Sequence, residues 1–153
     1  MKLVLCSLLA LLLSACALLP DRAGPITIER EHADAMARMV SDYRRANGLG
    51  PVRVDAALMA AAEQQARTVA ARDRLDHGNF EGRIHRHRVD TERAFENLAA
   101  GDPTPRAALA TWKASPAHQR ALVSPTSTRI GYVRALAPGT RHRTFDVLVL
   151  ASD

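Results

Sequence analysis

The run Thr144-Phe-Asp-Val-Leu-Val-Leu150 constrains the fold of this chain more than any other segment. From Val147 onward it is apolar on both alternating sets of side chains, and a strand of that kind is covered on both faces. Arg129-Ile-Gly-Tyr-Val-Arg-Ala-Leu136 is a second β-rich run, and Ala137-Pro-Gly-Thr140 between the two reads as a hairpin turn. Upstream of residue 129 the periodicity is helical. Helices first and a strand pair last, with both strand faces covered, predict an α+β chain. The expected architecture is a three-layer α-β-α sandwich around a small antiparallel sheet, spanning residues 28–152.

Residues 28–47 read as the first helix, with Ala33, Met36, Ala37, Val40 and Tyr43 at helical spacing and Asn47-Gly48 as the stop. Asp55 can cap a second helix through about Arg74, placing Leu58, Ala62, Ala66 and Val69 on one face. Its many alanines would let another element approach closely. Pro51–Val54 is a connector or a very short strand. Residues 75–90 lack clear periodicity and read as loop with one turn of helix, and Asp90 or Thr91 caps a short helix through Leu98. Thr104-Pro105 opens another helix, with Thr as N-cap and Pro at the first helical position. Ser115-Pro116 repeats that signal for a brief helix that ends by Pro125.

The amino terminus reads as an address. Lys2 and the uncharged apolar run Leu3–Leu13 are too short for a membrane span, which takes ~20 apolar residues, but suit a cleaved signal peptide over residues 1–15. Leu13-Ser14-Ala15-Cys16 matches a bacterial lipobox, so Cys16 is the expected site of lipidation and membrane attachment. Residues 16–27 would then be a lipidated tether, placing the domain in the cell envelope. Ala17 follows the cysteine, with no aspartate to retain the protein at an inner membrane. In a cell with two membranes the expected location is therefore the outer one. Cys6 leaves with the signal, so no disulfide can form within the mature chain and its stability rests on the core.

The whole sequence carries 21 basic and 16 acidic residues, a net charge of +5. Basic residues on an envelope protein favour anionic headgroups or wall polymers. No basic patch is interleaved with aromatics, and export separates the chain from nucleic acid, which is not an expected partner.

Three segments carry groups that can share a proton, a metal ion or a polar ligand. They are Leu75-Asp-His77-Gly78, Phe95-Glu96-Asn97-Leu98-Ala-Ala-Gly101 and Trp112-Lys-Ala-Ser115-Pro-Ala-His118. Glu96 lies beside Phe95 and Leu98 on a partly buried helix, and a buried carboxylate needs a partner. His77 and His118 are the candidates. His118 is the third residue of its helix, where the positive end of the dipole disfavours the protonated ring. Two histidines and one carboxylate can hold zinc with an open position. A His85/His87 pair is a weaker ligand set, because the interleaved arginines repel cations. No His-Glu-x-x-His or Gly-x-Ser-x-Gly occurs.

These segments, over about residues 36–150, resemble the CAP superfamily, the SCP-like extracellular proteins that include cysteine-rich secretory proteins, venom allergens and plant pathogenesis-related proteins. The disulfide-free bacterial branch is the most similar. The resemblance implies the same sandwich, and a central cavity lined by His77, Glu96 and His118, with Ser115 and Asn97 nearby. Phe95 stands where the family's Gly-Glu-Asn motif has glycine. Ser115 replaces a second acidic residue common in eukaryotic members, and Ser41-x-x-Arg44 replaces Asn-x-x-Arg. Asn97 is expected to anchor neighbouring backbone.

The expected function is a non-enzymatic binding module with a lipid, peptide or wall-fragment ligand. No cofactor is required, and a divalent cation such as zinc would bind weakly through His77, Glu96 and His118. The alternatives are a hydrolase using those three residues, with or without metal, and a structural envelope protein.

Overall fold

A computed structural model describes residues 24–153, so the signal segment, Cys16 and most of the tether lie outside the described residues. Ten elements follow: β1 (Thr27–Glu29), α1 (Ala33–Ala46), β2 (Arg53–Val54), α2 (Ala56–Arg72), α3 (Phe80–Arg86), β3 (Ala94–Ala100), α4 (Pro105–Ala114), α5 (Pro116–Leu122), β4 (Arg129–Ala137) and β5 (Arg143–Ala151). The sheet order is β1-β4-β5-β3, antiparallel throughout, with β2 added in parallel to β4. β1 and β2 share one edge of β4, and β3 forms the opposite edge.

The α-β-α sandwich follows from the strand pair that the sequence singles out. Along β4 and β5 alternate side chains enter two separate cores. Ile130, Tyr132, Leu148 and Leu150 face Met36, Val40, Leu109, Trp112 and Leu122, from α1, α4 and α5. Val133, Ala135, Phe145, Val147 and Val149 face Leu58, Ala62, Ala66 and Val69 of α2. Trp112 meets Tyr132 edge-on, with ring centroids 6.4 Å apart.

Several local signals operate as expected. Asp55 Oδ1 accepts a hydrogen bond from Leu58 N at 2.9 Å, and Thr104 Oγ1 accepts one from Ala107 N at 3.1 Å. Pro105 and Pro116 open their helices, although the Ser115 side chain makes no cap bond. Ser41, in place of asparagine, serves backbone as an amide would: its hydroxyl accepts from Val52 N and donates to Val52 O.

Three expectations are corrected. The first helix begins at Ala33, not 28, because Thr27, Ile28 and Glu29 pair with Leu136, Ala135 and Arg134. The helical stripe itself contains nothing before Ala33, and the β-branched Ile26-Thr27-Ile28 run suits a strand. Residues 94–100 form a strand, not the end of a helix capped by Asp90 or Thr91. Phe95 and Leu98 have helical spacing, yet in β3 they enter opposite cores. Seven register pairs with β5 outweigh the helical propensity of Leu, Ala and Glu. The segment after Gly78 also exceeds a single turn, because Asn79 caps α3 through Gly82 N at 2.8 Å.

Candidate functional site

Glu96 lies on the edge strand β3, and that placement separates the backbone of the residue from its side chain. The residue as a whole is partly accessible, but its side chain is only 1% exposed. The carboxylate points toward the α2–α3 layer with Leu98, while Asn97, its neighbour, points toward α5.

Each carboxylate oxygen has its own partner. Oε1 lies 2.8 Å from His77 Nδ1, and Oε2 accepts from the Arg83 guanidinium. An ionised carboxylate can only accept, so the proton of this pair sits on His77 Nδ1. Two imidazoles are expected around Glu96 from the sequence, but one imidazole and one guanidinium stand there.

The loop that brings His77 to this place is built by short-range bonds. Gly78, at φ +53°, turns the chain, and its N–H donates to Asp76 Oδ1 at 2.8 Å. Gln65, buried in α2, donates from Nε2 to Asp76 O and fastens the loop to the helix. The His77 side chain is 56% exposed, so this ring is the part of the pair that meets solvent.

Arg83 is the site residue that sequence reasoning passed over, since 75–90 reads there as loop. It lies one turn into α3 and is 5% exposed. Its two terminal nitrogens also donate to His77 O, both at 3.4 Å, and its guanidinium sits 5.5 Å from the centre of the Phe80 ring. The only local signal is Asn79-x-x-Gly82, a capping sequence that starts a helix here but does not say which of its side chains faces inward.

His118 is the third residue of α5, as expected. Its carbonyl accepts from Asn97 Nδ2 at 3.1 Å, so Asn97 does anchor backbone at this point. Its Nδ1 is buried without a protein partner. Burial pulls its pKa below the usual imidazole value, and the nearby charge of His77 adds to the effect. Ser115, half-buried, joins α4 to α5 through its backbone, donating to Trp112 O and accepting from Gln119 N.

His77 and Glu96 are in contact, but His77, Glu96 and His118 do not form a compact ligand set. Among the described residues one group has three such donor atoms all within 4.8 Å of one another, and it is Glu29, Glu31 and His32 at the start of α1. That group is partly exposed, and Glu29 also lies 3.9 Å from Arg134 Nε. Four surface concavities of about 420 to 560 Å³ are lined by residues other than His77, Glu96 and His118.

A second buried polar cluster lies in the sheet. Asp146 accepts from Tyr132 Oη and from Arg134 Nη1, and Arg134 continues to the carbonyl of Asp102. Burial raises the Asp146 carboxyl to about 6 despite that guanidinium. Arg44 is a third buried cation, donating to the carbonyls of Gly50, Leu122, Ser124 and Ser127 at 2.7–2.9 Å.

A five-stranded sheet between two helical layers, with a histidine–glutamate pair at its free edge, defines a CAP-type domain. The chain belongs to that family: residues 37–150 match the profile described as CAP, Cysteine-rich secretory protein family. Solved structures agree on the fold. An extracellular protein containing an SCP domain from Bacillus anthracis superposes with a TM-score of 0.71 at 20% identity, over 82% of this chain and 41% of that one. An outer surface protein of Borrelia burgdorferi gives 0.69 at 21% identity, over 78% and 90%. Venom allergen-like protein 4 of Schistosoma mansoni gives 0.62 at 17% identity, over 80% and 88%. This chain thus spans less than half of the Bacillus protein and most of the other two. A search of curated proteins finds no match.

Proposed function

We propose that this protein is an exported binding module, held in the cell envelope by lipid on Cys16, that meets its ligand at the edge of β3 around His77. The observation that carries this reading is the state of Glu96. Both of its oxygens are engaged, one by His77 Nδ1 and one by the Arg83 guanidinium, and its side chain is 1% exposed, so it orients His77 and does not itself face a substrate. An exposed imidazole held in one tautomer is a recognition group for a polar part of a lipid, peptide or wall fragment. The outer-surface and extracellular descriptions of the Borrelia and Bacillus proteins support export. Attachment rests on the Leu13-Ser14-Ala15-Cys16 sequence.

The test is mass spectrometry of the chain purified from its membranes. A diacylglycerol mass on Cys16, lost in Cys16→Ser, is expected, together with a co-purifying compound that His77→Ala releases. An unmodified Cys16 would remove the anchoring half of the reading. An empty wild-type protein that binds no envelope extract would remove the binding half and leave a structural role.

One observation favours a second reading. A carboxylate that fixes Nδ1–H of a histidine leaves Nε2 free to take a proton, which is the arrangement of a general base. Hydrolysis of ester or peptide substrates that falls at least about a hundredfold in both His77→Gln and Glu96→Gln would establish it.

A further inference from the structure

We propose that Arg83 is the resident cation of this site, a built-in positive charge that occupies Glu96 and closes the His77–Glu96 pair to divalent metal ions. The inference concerns what the site of the proposed binding function accepts. It rests on that reading only for the site's importance, not for its geometry.

Three observations support it. The guanidinium is fixed from several sides: by Glu96 Oε2, by the His77 carbonyl and by the Phe80 ring. It is buried, and unlike an imidazole or an amine it does not lose its proton to make room for a metal. A metal on Glu96 would therefore sit a few ångströms from a permanent like charge, in surroundings that screen it poorly.

The atoms of the pair that face each other are also committed, and only His77 Nε2 is left outside it. Metal binding requires a deprotonated imidazole nitrogen and free carboxylate lone pairs. Here Nδ1–H of His77 and the guanidinium of Arg83 take one carboxylate oxygen each. Finally, the donor atoms of His77, Glu96 and His118 are not gathered within 4.8 Å, whereas those of Glu29, Glu31 and His32 are. The residues that the family resemblance offers as metal ligands thus do not fit a metal in this chain. Arg83, four residues beyond the Asn79 cap, takes the place on Glu96 that a metal would need.

The inference predicts a gain of function. Replacing Arg83 by a shorter, neutral polar side chain should free Glu96 Oε2 and remove the repelling charge. The test is a zinc titration of the full chain in detergent, on a Cys16→Ser, Glu31→Gln background that removes a competing thiol and the α1 group. Histidine ring nitrogens are followed by NMR.

With arginine at 83, the His77 and His118 resonances should not respond to zinc. With Arg83→Gln, zinc should bind at least about tenfold tighter and shift the His77 ring, and the added substitution His77→Ala should abolish the gain. Arg83→Lys, which keeps the charge but can release its proton, should gain less than Arg83→Gln.

Zinc-dependent shifts of His77 in the parent, lost in Glu96→Gln, would overturn the proposal. So would a folded Arg83→Gln protein with no gain in affinity. If Arg83→Gln leaves Glu96 too poorly paired to fold, the parent titration decides alone, because His77-dependent uptake refutes the proposal and its absence supports it. None of these outcomes depends on an organic ligand, so the proposed binding function can fail while this inference stands.

Discussion

Gly131 lies in β4 directly beneath the first turn of α2, and alanine at this position tests how closely those layers are packed. A Cβ there would lie 2.3 Å from the carbonyl carbon of Leu58, 2.4 Å from its oxygen and 2.6 Å from Met59 N. Ordinary contacts begin at 3.4 Å, so the helix must retreat by roughly 1 Å. All three atoms are backbone, and no rotamer change relieves them. The turn is also tied down, since Asp55 N donates to Ile130 O at 2.9 Å and Tyr132 N reaches Met59 Sδ at 3.3 Å.

Overpacking of a core costs about 1–3 kcal/mol and sometimes more. A retreat of this size also forfeits a quarter to a half of the dispersion energy between facing atoms, here those of Leu58 and Ala62 against Val133 and Val149. We expect Gly131→Ala to lose about 4 kcal/mol, a large share of the ~5–15 kcal/mol typical of a domain. The melting temperature should fall by roughly 15 °C. Urea unfolding followed by circular dichroism measures it. Gly50→Ala, where a Cβ meets nothing within 4 Å, is the control and should stay within about 0.5 kcal/mol of wild type. A Gly131→Ala protein as stable as that control would refute the packing argument.

Arg44→Met should cost about 4 kcal/mol in the same assay, because it strands three buried carbonyls and a partly buried one that the guanidinium now serves. A loss below 1 kcal/mol would mean those carbonyls find other partners. Val147→Asp should abolish cooperative folding, since residue 147 is fully buried among apolar side chains against α2. A soluble, cooperatively melting variant would contradict the core assignment. The Asp146 carboxyl is raised from 3.8 to about 6, so folding favours its acid form. Its stabilising contribution is complete below about pH 4 and is lost as pH rises through 6, amounting to about 3 kcal/mol. The difference in unfolding free energy between wild type and Asp146→Asn should slope across pH 4–6 and be level above 7. A level difference from pH 3 to 8 would rule this out.

What the sequence by itself determined were the features whose cause is local. The Asp55 and Thr104 caps, the Pro105 and Pro116 starts and the turn between β4 and β5 each depend on residues a few positions apart. The apolar run ending β5 likewise announces two covered faces without reference to any partner, and the sandwich follows from it. His77 and Glu96 were legible as a pair because a buried carboxylate demands a proton or a cation, and motif resemblance named the histidine.

Only the tertiary structure decided the state of residues 27–29 and 94–100, because a strand gains its hydrogen bonds from segments far along the chain. Thr27 pairs with Leu136, and Glu96 with Val149. Helical spacing of Phe95 and Leu98 could not reveal that they enter separate cores. The same reason hid Arg83. Nothing in a run of arginines and histidines distinguishes the one that α3 turns inward. Where α3 packs against the sheet edge, burial selects a single guanidinium to balance Glu96 and leaves the other charges in water.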